Sequence, residues 1–203
     1  IYRPNDRHSL ALTYRHPYRI EYDGDYSMPA AGIQTDARAS IDFPPVAVAG
    51  YAFRPSRPWK VELDLDWTGW SSAGDIRMRF DDPMLTDAAQ AQDLQNTFAY
   101  KLGVEYAWSE VLDLRAGYIY NENATREVSW RPSLPDTDMH FVTAGAGYEI
   151  GAVTLDIAVQ LVFYETRRID NNVDGNEFLS SSSIDGKYET FAPSLSMGAT
   201  YRF

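Results

Sequence analysis

WKVELDLDWTGWSSAGDIRMRF, residues 59–80, is the stretch that decides the fold. Val61, Leu63, Leu65 and Trp67 alternate with Lys60, Glu62, Asp64, Asp66 and Thr68. A period of two puts the apolar set on one side of a strand and the charged set on the other. In a soluble sandwich the apolar side would meet a second sheet. Here almost every other strand-like segment repeats the same contrast. That is the pattern of a transmembrane antiparallel β-barrel, apolar toward lipid and polar toward a lumen.

Working outward from this stretch, eight further segments alternate: 8–14, 19–26, 39–53, 97–108, 111–120, 140–150, 153–164 and 191–203. Arg15-His16-Pro17 reads as a tight turn, and Pro44-Pro45 removes two ladder donors, so a kink is expected inside 39–53. The connections then alternate in length. Short ones fall at 15–17, 54–58, 109–110 and 151; long ones fall at 27–37, 81–93, 121–137 and 165–187. Residues 88–94 are expected to form a turn of helix within one long loop. Short turns on one rim and long loops on the other are the layout of a bacterial outer-membrane barrel. Trp59, Tyr106, Trp108 and Phe203 collect near the short-turn rim, and Trp67, Phe98, Tyr120 and Phe163 near the other, as two interfacial belts require.

The totals agree. The 203 residues hold 29 acids against 18 Lys and Arg, a formal net charge of −11, which argues against nucleic-acid binding. No apolar run approaches about 18 residues, so no transmembrane helix is expected. Cysteine is absent, which removes disulfides and thiolate chemistry.

The residues that carry a family resemblance are Asp66-Trp67-Thr68-Gly69-Trp70-Ser71-Ser72 and Leu114-Arg115-Ala116-Gly117-Tyr118. They are followed by Leu134-Pro135-Asp136-Thr137-Asp138 and Gly145-Ala146-Gly147-Tyr148, and preceded by Leu10-Ala11-Leu12-Thr13-Tyr14-Arg15 and Asp23-Gly24-Asp25-Tyr26. In order and spacing they resemble the FadL/TodX family, outer-membrane transporters of long-chain fatty acids and other hydrophobes. The resemblance implies passive transport of a hydrophobic small molecule, captured at the external loops and released sideways beside a kinked strand. It implies no cofactor and no enzyme activity. The partners it implies are the hydrophobe, outer-membrane lipid and lipopolysaccharide. Met139 departs from the family, whose members carry a basic residue after the Pro-Asp-x-Asp run. Members also have fourteen strands and an N-terminal plug. The segments here match the last nine strands, so residues 1–203 are expected to be one barrel domain, incomplete at its N-terminus. The first and last strands are then expected to pair with further polypeptide rather than with each other. The rival reading is a structural or secretion-partner barrel without transport.

Four residues near the long-loop rim form the candidate substrate site: Arg77 and Arg79, which alternate with apolar neighbours, together with Trp70 and Phe80. A guanidinium beside apolar surface suits an amphiphile with an acidic head. On the lumen side, Glu62, Asp64, Asp66, Lys101, Glu105, Asp113, Arg115, Glu149 and Asp156 are expected to form a structural ion-pair network rather than an acid–base catalyst. The histidines, His8, His16 and His140, have neither metal spacing nor a nucleophile motif. Asp170-x-Asn172-x-Asp174-Gly175 copies the start of a calcium loop, but Ser181 stands where the bidentate Glu belongs, leaving Glu177 or Asp185 as the substitutes a calcium site would need. A solvated acidic loop is the expectation there.

Overall fold

The computed structural model describes residues 1–90, 92–130, 135–170 and 185–203. In chain order the strands are β1 (Tyr2–Asn5), β2 (His8–Arg15), β3 (Tyr18–Met28), β4 (Ile33–Phe43), β5 (Val46–Phe53), β6 (Trp59–Thr68), β7 (Ile76–Phe80) and β8 (Ala88–Gln90). They continue as β9 (Thr97–Ala107), β10 (Leu112–Asn121), β11 (Met139–Ile150), β12 (Val153–Tyr164), β13 (Arg167–Ile169), β14 (Gly186–Tyr188) and β15 (Phe191–Tyr201). Nine of them make one antiparallel wall in the order β1-β2-β5-β6-β9-β10-β11-β12-β15. A second sheet, β3-β4-β7-β8, and a small β13-β14 hairpin complete the chain.

Alternation produces the expected two-faced wall. Leu63, Leu102, Tyr118, Val142 and Leu161 stand opposite one another strand by strand, and Val61, Val104, Ala116, Ala144, Val159 and Leu195 form the neighbouring row. No described residue covers this apolar face: Leu63, Leu102, Val142, Leu155, Ile157 and Leu195 are all exposed. Glu62, Asp64, Lys101, Glu105, Arg115 and Asp156 lie on the opposite face, as their registers require. With lipid on one side and a wet lumen on the other, neither face needs a protein core.

The strand count of nine holds, but two of its members differ from the sequence expectation. Residues 15–17 are not a turn. β2 pairs with β5 from His8↔Phe53 to Arg15↔Val46, and β3 pairs with β4 from Tyr18↔Phe43 to Met28↔Ile33. In every facing pair of both ladders the two residue numbers add to 61, so β2–β3 and β4–β5 are the arms of one uninterrupted hairpin. His16-Pro17 faces Pro44-Pro45 at its middle. Each arm spans residues 8–28 or 33–53, about 70 Å at ~3.4 Å per residue. A tilted membrane strand needs only about 9–11 residues. The outer half therefore rises beyond the long-loop rim as an extension, and its tip is the short helical turn Pro29–Ala31, closed by Gly32 in the left-handed region (φ 67°).

Segment 19–26 thus belongs to the extension, and the wall strand that replaces it in the count is β1, which pairs along β2. Segment 39–53 breaks at Pro44-Pro45 as its prolines predict. The stretch 59–80 divides too. Facing numbers add to 114 between β5 and β6 but to 117 between β4 and β7. The three extra residues are taken up around the single helical turn Trp70–Ser72. An odd shift exchanges the two sides of a strand, so apolar Met78 and Phe80 stay on the side held by Leu65 and Trp67. Gly69 is buried at this joint, donating its N–H to the Pro45 carbonyl at 2.9 Å. A Cβ there would stand 2.9 Å from the Pro45 ring. Residues 88–90 are strand rather than helix, because they pair with β7.

β1 and β15 lie at opposite ends of the wall and do not pair with each other among the described residues.

Candidate functional site

The lumen face carries an ion-pair network whose spacing depends on glycine. Lys101 Nζ reaches Asp66 Oδ2 at 2.5 Å. Arg115 gathers three carboxylates: Glu105 at 2.9 Å, Asp156 at 3.0 Å and Asp113 at 3.7 Å. Asp156 is two strands away, with β11 between. Gly147 is the residue of β11 that lies under this bridge. A Cβ on it would stand 2.8 Å from Asp156 Oδ1 and 3.3 Å from the Arg115 guanidinium. Gly50 relates in the same way to Asp64, at 2.5 Å. These charged groups therefore lie along the wall. Of the other expected members, Glu149 pairs with Arg202 at 3.6 Å and Glu62 with Lys60 at 2.6 Å.

At the long-loop rim the Pro135–Asp138 run is a connector. Asp136 Oδ2 accepts the backbone N–H groups of Ala124 and Thr125, both at 2.7 Å. Asp138 accepts the Tyr120 hydroxyl at 2.6 Å and the backbone and side-chain N–H groups of Asn123 at 2.8 and 2.6 Å. Arg167, from β13, donates to the carbonyls of Thr125 and Asp136 at 2.7 Å each. Trp130, 1% exposed, donates its indole N–H to the Asp136 carbonyl and packs on Tyr188. Burial pushes the Asp138 carboxyl up, but the Tyr120 and Asn123 hydrogen bonds and the Arg167 charge outweigh it, and the group is held below its ordinary range. Burial lowers the Arg167 guanidinium from its ordinary value, opposed by Asp136, Glu127 and Asp138. Two loops and the top of β10 are thereby fixed to one another.

A cavity of about 430 Å³ sits beside this connector at the top of the lumen face. Trp70, Leu94, Thr97, Asn121, Pro135 and Met139 line it. Trp70 is the one predicted site residue found there. Arg77 and Arg79 lie elsewhere, on the charged face of the extension, lining a cleft of about 360 Å³ with Arg19, Glu21, Arg38 and Asp42. Phe80 is on the opposite, apolar face, edge-on to Tyr26. The four predicted residues thus occupy three places. The connector itself, Asp136, Asp138, Trp130 and Arg167, was not predicted. Its only signal in the sequence was the Pro-Asp-Thr-Asp run, and nothing near Arg167 announces its partners.

His140 sits at the top of the apolar face, with Nδ1 at 2.7 Å from the Tyr118 hydroxyl and Nε2 at 3.2 Å from Glu165. His8 meets the Tyr51 hydroxyl at 2.7 Å near the other rim. Both are placed among belt aromatics. The calcium-like run begins at Asp170; Asn172, Asp174, Gly175, Glu177 and Ser181 lie outside the described residues.

The sequence profile of the family described as outer membrane protein transport protein (OMPP1/FadL/TodX) matches residues 1–203. Relatives include a 47 kDa outer membrane protein of Pasteurella multocida (strain Pm70), 24% identical over 91% of this chain and 46% of that protein. The long-chain fatty acid transport protein of Escherichia coli (strain K12) is 21% identical over 84% of this chain and 42% of its own length. Among solved structures, a Pseudomonas aeruginosa FadL homologue superimposes with a TM-score of 0.76 at 19% identity, covering 98% of this chain and 48% of that one. The Pseudomonas putida toluene transporter TodX superimposes with a TM-score of 0.61 at 18% identity, covering 83% and 43%. The chain spans less than half the length of these relatives.

Proposed function

Because the chain belongs to the outer membrane protein transport protein family (OMPP1/FadL/TodX) and is an outer-membrane β-barrel protein, we propose that it forms part of the wall and mouth of a channel for hydrophobic small molecules. The observation that carries this reading is the wall itself. Its apolar face is uncovered across all nine strands, while its other face holds charge in flat, glycine-spaced pairs. Such a wall belongs between lipid and a wet lumen. Movement through it needs no cofactor and no energy source. Lipid and lipopolysaccharide surround the apolar face.

The two edges of the wall support a second part of the reading. Unpaired strand N–H and C=O groups in hydrocarbon cost several kcal/mol each. We therefore read residues 1–203 as one incomplete barrel domain, with further strands, about five, closing it between β1 and β15. The mouth cavity beside Trp70 is large enough for a monoaromatic ring or a short alkyl chain, and we read Arg77 and Arg79 as outer contacts on the charged face of the extension, with Phe80 on the opposite face away from them.

The test is uptake by the complete protein in the outer membrane of cells lacking their own hydrophobe channels. Radiolabelled dodecanol and dodecanoate are expected to enter several-fold faster than in cells with an empty vector. A folded, surface-exposed barrel that accelerates neither would sink the transport reading and favour a structural or secretion-partner role.

A further inference from the structure

The charged face of the extension is a grid of facing residues. Across β3, β4 and β7 its registers place Glu21, Ser40 and Arg77 in one row and Asp23, Arg38 and Arg79 in the next. Arg38 and Arg79 stand directly opposite each other. Like charges in directly facing positions destabilise a strand pair, so this arrangement calls for a compensating anion. The protein supplies one for only part of the grid. Arg19 is held by Asp42 through two bonds of 2.6 and 2.9 Å. Arg38 is shared between Asp23 at 3.2 Å and Asp81 at 3.5 Å. Arg77 and Arg79 make no hydrogen bond or ion pair with any described residue. Glu21 and Asp75, which line the same cleft, form no ion pair with either, and Asp42 feels the charge of Arg77 without pairing with it. Gly74 keeps the end of the cleft open, since a Cβ there would stand 3.0 Å from Asp42 Oδ2.

The same parity that runs through the joint makes this charged face the upward continuation of the lumen face. The cleft therefore lies on the approach to the mouth rather than on the lipid side. Eight of its twelve lining residues are charged, Tyr22 and Ala39 also line it, and the apolar residues of β7, Met78 and Phe80, are on the reverse face. It offers a seat for an acidic head. Such a seat acts through attraction and capture rate more than through residence.

We propose that Arg77 and Arg79, backed by Arg38, set the channel's preference for hydrophobes bearing an anionic head over neutral hydrophobes of the same length. This rests on the transport reading, and it adds a specificity element outside the lumen. Guanidinium forks bind carboxylate and phosphate alike. The shared chemistry is an anionic amphiphile head, whether carried by a free acid or by a membrane glycolipid phosphate.

The experiment compares initial uptake of dodecanoate and dodecanol by the complete protein, as wild type, Arg77→Ala/Arg79→Ala and Arg77→Lys/Arg79→Lys, with Arg54→Ala in a short turn as control. In the double alanine variant the half-saturating dodecanoate concentration is expected to rise three- to tenfold at unchanged maximal rate, with dodecanol uptake unaltered. Raising salt from 50 to 500 mM should slow wild-type dodecanoate uptake and leave the double alanine variant unchanged. The lysine variant should recover most of the effect. Purified lipid A added as competitor separates the two sources: if it abolishes the wild-type advantage for dodecanoate, the seat also takes glycolipid phosphate; if not, the free acid is its occupant. Equal loss of dodecanoate and dodecanol uptake, or no change in either, overturns the proposal while leaving transport standing. Wild-type failure to take up either compound removes both.

Discussion

One hairpin, in one register and with one alternation, carries two strands of the wall and two of the extension, yet the two regions solve opposite problems. In the wall the apolar face is matched by lipid and the charged face by its own partners, Arg115 with three carboxylates and Lys101 with Asp66. In the extension Tyr18, Tyr22 and Met78 are exposed above the belt, and Arg77 and Arg79 make no hydrogen bond or ion pair with any described residue. An identical pattern of residues thus has different consequences on either side of the Pro17/Pro44-Pro45 joint. The pattern specifies a two-faced strand, and only position relative to the bilayer says what each face meets.

The largest expected difference comes from placing a cation on the shared apolar face. Leu102→Arg, in the middle of the wall, should cost about 2–4 kcal/mol. Tyr22→Arg, on the same face of the extension, should cost less than about 0.5 kcal/mol, as an ordinary surface change does. Urea titration of the complete protein folded into lipid vesicles measures both. Comparable costs would put the extension inside the membrane and erase the contrast.

A smaller difference is expected at glycine. Gly147→Val drives a side chain into the Arg115–Asp156 bridge and should cost about 1 kcal/mol, since the bridge is half-exposed and screened. Gly24 in β3 has no atom within 4 Å of where its Cβ would be. Gly24→Ala should be neutral, or stabilising by up to about 1 kcal/mol through the unfolded chain. The same titration decides. A destabilised Gly24 variant would show that the extension packs against something on its apolar face, where Gly24 shares a row with Ala37 and Phe80.

The smallest effect is a pH dependence confined to the extension. The hydrogen bond from Arg19 holds the Asp42 carboxyl below its ordinary value of 3.8. A carboxyl lowered on folding contributes stability above that ordinary value and loses it as pH falls through the lowered one. Stacking of Tyr18 on Phe43, centroids 4.9 Å apart, should therefore persist at pH 5 and loosen below about pH 3.8, read from ring-current shifts. Arg19→Gln should weaken the stack at pH 5 and flatten the dependence.

What could be read from the sequence follows from the range of each interaction. Alternation is local, so Leu63, Leu102 and Leu195 were assigned to the lipid face and Asp64 and Arg115 to the lumen without any knowledge of pairing. His16-Pro17 was misread because proline after a polar pair usually marks a turn. Here the chain runs straight through, since Pro44-Pro45 arrives opposite and neither arm needs the missing N–H groups. That fact exists only in the pairing of residues some thirty positions apart. The mouth connector was invisible for a similar reason. Arg167 meets Thr125 and Asp136 across 42 and 31 residues, and a lone arginine in a polar loop carries no hint of them. Trp70 and Phe80 seemed neighbours of Arg77 and Arg79 along the chain; the helical turn at Trp70–Ser72 and the pleat of β7 send them to separate surfaces.

The unbroken register of the long hairpin also limits how its height can change. Removing one residue from each arm beyond the prolines would turn every remaining side chain there to the wrong face, while removing two from each would restore the pattern. The height of this turret over the pore should therefore be adjustable only in strides of about 7 Å. Insertions and deletions tolerated in each arm should come in even numbers, with the wall below unaware of them.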